Sequence, residues 1–166
     1  MKYVIASAIL LAGFAVLALL VIQNNTLVSE WDHAAFSAVN NPAGKTLDKI
    51  MVDLSKYGRE AVWIGVTALL FVFGTKDGRK AAVLLTVAFL ILITFGTILK
   101  DEVDRPRPVP VSGDHVLILN ETDPSFPSGH AVIVSSGAMI LLLRFTHGKQ
   151  IVASVILAIE AALVSY

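Results

Sequence analysis

Apolar runs alternate with short polar loops along the whole chain. Five runs stand out: Tyr3 to Ile22, Ala61 to Thr75, Ala81 to Leu99, Gly129 to Leu143, and Ile151 to Tyr166, the last interrupted by Glu160. The first and third have the roughly 20 residues that a helix needs to cross about 30 Å of hydrocarbon. The shorter runs can also span when they sit inside a bundle or extend through polar flanking turns. The pattern predicts an all-α integral membrane helical bundle with five spans, forming one domain over residues 1–166.

The segment between the first two runs is amphipathic. Trp31, Phe36 and Leu47 belong to a set of apolar residues at helical spacing, with charged residues between them, and "NNPAG" (residues 40–44) divides the segment. This predicts two short helices lying along the membrane interface. The first run is interpreted as a retained anchor. The alternative is a secretory signal peptide, although no clear cleavage site precedes Gln23.

Composition supports a membrane solvent. Of the 166 residues, 55% are hydrophobic and 16% are charged, and the mean hydropathy of +0.74 is high for a soluble domain. The 13 basic and 13 acidic side chains cancel, so bulk charge does not predict a nucleic-acid partner. The chain has no cysteine, which excludes disulfides and thiolate chemistry. The partner that composition predicts is the lipid bilayer.

The charges of the short loops predict their sides of the membrane. "TKDGRK" (residues 75–80) and "RFTHGK" (residues 144–149) are net positive, and Lys2 precedes the first run. All three are therefore expected in the cytoplasm. Residues 23–60 and 100–128 would then face outward. We expect a multi-pass protein of a prokaryotic plasma membrane, with its site open to the outside.

The outer segment from Lys100 to His130 is about 30 residues long, which is more than a plain helix connection needs. Its first part, "KDEVDRPRP", places Lys100, Arg105 and Arg107 close together. The proline after each arginine favours an extended backbone there. Arginine forms planar bidentate hydrogen bonds and lysine supplies a compact charge, which suits a phosphate. The alternative is a loop that meets anionic lipid headgroups at the membrane surface.

The second part of this segment, "SFPSGH", lies at the entrance to the fourth apolar run. Ser125 or Ser128 can cap a helix there, and Pro127 suits its first turn. Gly129 lets a ligand approach the backbone, and the positive end of the helix favours an anion. His130 can transfer a proton near neutral pH. The alternative is a plain helix cap with His130 as an interfacial side chain. Antiparallel packing of the third and fourth runs would bring both parts to one membrane face.

Two motifs in this segment carry a family resemblance. Lys100 is followed after six residues by Arg107 and Pro108, and residues 127–130 read Pro-Ser-Gly-His. In this order, on neighbouring predicted spans, they resemble the first two signature motifs of the type 2 phosphatidic acid phosphatase superfamily, of the membrane lipid phosphatase type. The resemblance extends over nearly the whole chain. It implies a bundle of six spans, of which five are present here.

The resemblance implies a phosphatase that needs no metal or other cofactor and works through a phosphohistidine. Four residues would bind the phosphate: Lys100, Arg107, Ser128 and Gly129. His130 would be catalytic and would protonate the leaving oxygen. Arg105 and Pro127 are accessory candidates.

The third motif of this family supplies the nucleophilic histidine, and it is not found before Tyr166. It reads Ser-Arg, five residues, His, three residues, Asp, and should follow the fifth run. His33 and His115 have no aspartate four positions later, and His147 belongs to the opposite face. We therefore expect a C-terminally incomplete domain, with residues 1–166 alone inactive but able to bind a phosphate. A nucleophile supplied by a second chain is the alternative.

The predicted function is hydrolysis of a lipid phosphate or diphosphate. An outward-facing site favours a polyprenyl diphosphate of the undecaprenyl or dolichyl type. A phosphatidic acid or phosphatidylglycerol phosphate phosphatase is the alternative of the same class. A non-catalytic phospholipid-binding membrane protein is the alternative of another class. Glu160, a carboxylate within an apolar run, is expected to face the bundle as a structural residue.

Overall fold

The computed structural model of the chain describes residues 2–39, 45–107 and 123–165, and within these ranges it is helical, without a strand. The α-helices are α1 (Lys2–Ile22), α2 (Thr26–Val39), α3 (Lys45–Tyr57), α4 (Trp63–Phe73), α5 (Lys76–Val103), α6 (Gly129–Arg144) and α7 (Gly148–Ser165). A π-helical segment, Gly58–Val62, joins α3 to α4. The predicted all-α class is confirmed. The dividing segment "NNPAG" and the greater part of the loop that follows Arg107 lie outside the described residues.

Each predicted apolar run corresponds to a helix, and α5 extends furthest beyond its run. The Thr75 side chain accepts a hydrogen bond from Gly78 N, and so caps the N-terminus of α5 within the polar "TKDGRK" loop. At the other end Asp104 adopts the left-handed conformation, with φ 43° and ψ 42°, and ends the helix. Lys100 therefore belongs to the last turn of α5, which fixes the position of its backbone.

The helices expose apolar faces, as a membrane protein does. The window Val4–Ile22 of α1 has a mean hydropathy of 2.9 with 6% of it buried, and α5 has 2.6 with 11% buried. A core helix of a soluble protein would be mostly buried, whereas these faces would need lipid as their solvent. These two helices are long and apolar enough to cross a membrane, and α6 is a shorter apolar helix. Five spans and their sidedness remain predictions.

The centre of the bundle is the packing of α6 against α5 and α7, with α4 against α5. Trp63, at the start of α4, is 1% exposed, and its ring meets the ring of Phe89 edge to face at 6.0 Å. Gly137 of α6 makes room for the indole, since a Cβ there would lie 2.2 Å from Cζ3 of Trp63. The packing of the core therefore depends on the Trp63 side chain fitting against Gly137, which has no side chain.

Helices α5 and α6 are antiparallel neighbours, as the sequence predicts. At one end Arg144 Nη2 lies 2.6 Å from Asp77 Oδ1, which joins the end of α6 to the start of α5. At the other end Lys100 forms an ion pair with Asp123, six residues before α6 begins. Lys100 and His130 consequently lie at the same end of the bundle.

Glu160 of α7 faces the bundle, as predicted. Both of its carboxyl oxygens are buried. Gly58 of the π-helical segment packs closely against this part of α7, since a Cβ on Gly58 would lie 2.8 Å from Glu160 Oε1 and 2.5 Å from Val164 Cγ2. The contact fixes the π-helical segment against α7.

Gly137→Ala should destabilise the protein by about 1–3 kcal/mol, because the new methyl group would overlap the Trp63 ring and force the packed helices apart. The measurement is the midpoint of thermal unfolding in detergent. Gly65→Ala is the matched control, since a Cβ on Gly65 meets open space. It should leave stability unchanged or raise it by up to about 1 kcal/mol. Equal midpoints for the two variants would refute the packing argument.

Candidate anion-binding site

Lys100 and Arg107 converge on one carboxylate. Lys100 Nζ pairs with Asp123 Oδ2, and Arg107 Nη2 lies 2.7 Å from Asp123 Oδ1. Arg107 Nε also donates to the main-chain oxygen of Asp123 at 3.2 Å. The two cations of the first motif can therefore hold a single anion between them, and in this structure that anion is the side chain of Asp123.

Arg105 does not join this cluster. Its Nη2 lies 2.9 Å from Asp32 Oδ2, so it links the end of α5 to α2. The two arginines, which the sequence presents in the same way, thus have different partners. Arg105 holds α2 in place, and Arg107 faces Asp123.

Ser125 fastens the two described arms of the loop to each other. Its main-chain N donates to Arg105 O at 2.8 Å, and its hydroxyl donates to the carbonyl oxygens of Arg105 and Pro106, each at 3.2 Å. Ser128 is the residue that caps α6, because its Oγ accepts from Ala131 N at 3.3 Å. The sequence left the cap open between Ser125 and Ser128, and the structure assigns it to Ser128.

The N-terminus of α6 brings Gly129 and His130 to the same end of the bundle. His130 Nε2 lies 3.0 Å from the carbonyl oxygen of Ser55 in α3. A carbonyl oxygen only accepts, so this contact requires the proton on Nε2. Delivery of that proton to another atom requires the acceptor to replace the Ser55 carbonyl. Across from Gly129 lies Arg59, whose Nη1 would be 3.4 Å from a Cβ placed on Gly129.

A cavity of about 500 Å³ opens beside these groups. Its polar end includes the basic residues Lys100 and Arg59, the acidic residues Glu60, Asp101 and Asp123, and Gly129. The rest of its lining is mainly apolar and comes from α4, α5 and α6: Trp63, Ile64, Phe89, Leu92, Ile93, Val132 and Ile133. A charged end joined to an apolar chamber suits a molecule with an anionic headgroup and a hydrocarbon part.

The electrostatics of the site favour the ionised form of Asp123. The hydrogen bond from Lys100, and then the one from Arg107, hold the pKa of Asp123 well below its usual range, against the opposing effect of desolvation. The N-terminal end of α6 adds a partial positive charge. Asp123 therefore stays ionised at any physiological pH.

The structure brings some of the predicted site residues together and separates others. Lys100, Pro127 and Gly129 line the cavity, and Arg107 meets Lys100 through Asp123. Arg105 is directed to α2 instead. Pro108 and His115 lie outside the described residues, and His147 follows α6 at its far end. The 16 residues of α6 separate His147 from His130 by about 24 Å, so the two histidines lie near opposite ends of that helix.

Sequence reasoning missed three residues of the site: Asp123, Arg59 and Ser55. Asp123 stands five residues before Ser128 in the same polar stretch. Its position in the sequence could therefore have marked it as a candidate site residue. Arg59 precedes an apolar run, where a cation is ordinary, and Ser55 contributes only a main-chain oxygen. Within the ranges that the structure describes, no group of three His, Asp or Glu side chains is placed to hold a metal ion. Independence from metals remains a prediction.

The fold and the site define an all-α membrane bundle in which two basic side chains converge on one carboxylate at one end. The model of the PAP2 superfamily matches residues 80–166. An undecaprenyl-diphosphatase of Sulfolobus acidocaldarius is 45% identical over 132 residues, which are 79% of this chain and 61% of that protein. The chain belongs to the PAP2 superfamily. It spans about three fifths of the length of that relative, and no solved structure matches it significantly.

Asp123→Asn should lower thermal stability at neutral pH, and this difference should shrink progressively as the pH falls below about 4. A carboxyl whose pKa is depressed by folding stabilises the folded state above its unfolded pKa of about 3.9. This contribution is lost as the pH falls through the lowered pKa of Asp123. Because the side chain is 47% exposed, we expect a modest shift of about 2–4 °C at pH 7. The measurement is the unfolding midpoint of both proteins in detergent between pH 7 and pH 2.5. A gap that widens in acid would contradict the assignment.

Proposed function

We propose that this protein hydrolyses a polyprenyl diphosphate, with the terminal phosphate bound by Lys100, Arg107 and the N-terminus of α6. The observation that carries the proposal is the convergence of Lys100 and Arg107 on one carboxylate beside a cavity that is largely apolar. A phosphoryl group offers the same two cations more negative charge and more acceptor oxygens than a carboxylate does. Substrate binding would displace Asp123 from them.

The proposed chemistry is phosphoryl transfer to a histidine. A histidine nitrogen attacks the terminal phosphorus, the N–P bond forms, and the P–O bond to the leaving group breaks. His130 gives its proton to the leaving oxygen, and water then hydrolyses the phosphohistidine to release phosphate. Lys100, Arg107 and the main-chain N–H groups at the start of α6 stabilise the charge on the phosphoryl oxygens. We assign the nucleophile to none of residues 1–166.

The substrate class is supported by the shape of the cavity and by one relative. The wall formed by residues such as Ile64, Phe89 and Ile93 is suited to the first part of a hydrocarbon tail. The related protein of Sulfolobus acidocaldarius carries the name undecaprenyl-diphosphatase. With the positive-inside distribution of the short loops, we place the site on the outer face of a prokaryotic plasma membrane. The partners are the bilayer and the lipid diphosphate.

Replacing either phosphate-binding cation should abolish most of the turnover. In the protein expressed from its intact gene, Lys100→Ala and Arg107→Ala should each lower kcat by about 100- to 1,000-fold, because each removes a donor aimed at the developing charge. His130→Ala should cost about 100- to 10,000-fold through loss of the general acid. The measurement is phosphate release from farnesyl diphosphate in detergent.

Arg144→Ala is the matched control, because Arg144 is an arginine at the opposite end of the bundle, paired with Asp77. It should keep activity within a few-fold of the unaltered protein. Near-full activity in all three site variants would show that the site is elsewhere. A protein that binds the diphosphate and releases no phosphate would be a non-catalytic lipid-binding protein.

Asp123→Asn should bind free phosphate several-fold more tightly, since it removes the carboxylate that occupies Lys100 and Arg107. The measurement is the inhibition constant of inorganic phosphate in the same assay. Asp77→Asn, which alters an acidic residue at the other end of the bundle, should leave that constant unchanged. Equal or weaker inhibition of Asp123→Asn would mean that phosphate does not compete for these cations.

A further inference from the structure

Arg59 lies at the polar end of the cavity but belongs to neither motif. It is the second residue of the π-helical segment Gly58–Val62, outside residues 80–166 that match the family model. Its Nη1 would be 3.4 Å from a Cβ on Gly129, and it shares the cavity lining with Lys100 and Gly129. The guanidinium therefore lies beside the start of α6 and lines the same cavity as Lys100.

Arg59 forms an ion pair that a bound anion could replace. The first turn of α6 carries partial positive charge, and the cavity is lined by Lys100 and Arg59 together with the acidic residues Glu60, Asp101 and Asp123. Arg59 pairs with its neighbour Glu60, whose side chain is 66% exposed, and such a surface pair contributes little. A phosphate group in the cavity could therefore take the place of Glu60 as the partner of Arg59.

The backbone holds Arg59 in this position. Gly58 lacks a side chain and packs directly on Val164 and Glu160 of α7, which anchors the start of the π-helical segment. Trp63, one turn further on, is fixed against Gly137. Segments of π-helix inside longer helices frequently occur at functional positions. The Arg59 side chain is thus presented from a backbone that is fastened on both sides.

We propose that Arg59 binds the second phosphate of the diphosphate, the one esterified to the lipid tail. This inference rests on the proposed function. Lys100 and Arg107 would hold the terminal phosphate, and the tail would occupy the apolar wall. Arg59 lies about one helical turn before Ile64, which lines that wall. The phosphate that joins the two parts of the substrate would then face Arg59. A lipid monophosphate lacks this second phosphate, so Arg59 would add little to its binding.

The experiment compares farnesyl diphosphate with farnesyl monophosphate in the protein expressed from its intact gene. Arg59→Gln should raise KM for the diphosphate by about 10- to 100-fold, the effect of losing a hydrogen-bonded charge pair. It should change KM for the monophosphate, and kcat for either substrate, by less than about 3-fold. Arg59→Lys should recover part of the diphosphate affinity, because it keeps the charge without the planar fork.

Lys56→Gln is the matched control, since Lys56 is an exposed cation of α3 close to Arg59 in the chain. It should leave both KM values unchanged. Equal losses on both substrates, or no loss on either, in Arg59→Gln would overturn the inference. If Arg59→Gln does not fold, the same comparison is made with Arg59→Lys. A higher KM for the diphosphate but not for the monophosphate supports the inference, and equal changes in both KM values overturn it. Failure of the unaltered protein to release phosphate from either lipid would instead remove the proposed function.

Discussion

The site depends on one interaction, the pair of ion pairs that Lys100 and Arg107 form with Asp123. It ties the last turn of α5 and the start of the following loop to the segment that leads into α6. The arrangement requires α5 and α6 to be antiparallel and in register. Trp63 against Gly137 in the core and Arg144 with Asp77 at the far end secure that register. Core packing and charge placement thus determine the same geometry.

Neutralisation of the two cations explains why a carboxylate stands between them. Charges beside apolar walls interact more strongly than in water, and an uncompensated one is costly. The chain supplies Asp123 from a segment that Ser125 fastens to Arg105 and Pro106. A carboxylate is a weaker match than a phosphoryl group for a lysine and an arginine together. Asp123 can therefore keep Lys100 and Arg107 in place and still be displaced by the proposed substrate.

The helices were predictable because the information for them is local. Apolar runs and the helix start near Gly129 are read within a few residues, and the described helices follow them. The partners of the arginines were not predictable in this way. Arg105 and Arg107 have the same local sequence, each before a proline, yet one pairs with Asp32, 73 residues away, and the other with Asp123. Such choices depend on how α2 packs, which no local pattern encodes.

Arg59 is a second residue whose position in the site could not be predicted from local sequence. Nothing in its neighbourhood distinguishes it from a cation that marks a membrane boundary. Its relation to the site is visible only in the fold, where its guanidinium lies beside Gly129, 70 residues later in the chain. The start of α6 and the guanidinium then line the same cavity. Lys100 and Arg59 line one chamber, and Arg107 is joined to Lys100 through Asp123, so two linked phosphates could contact more of these cations than one phosphate could. Together with the apolar wall of the same chamber, this arrangement supports the proposed lipid diphosphate over a lipid monophosphate.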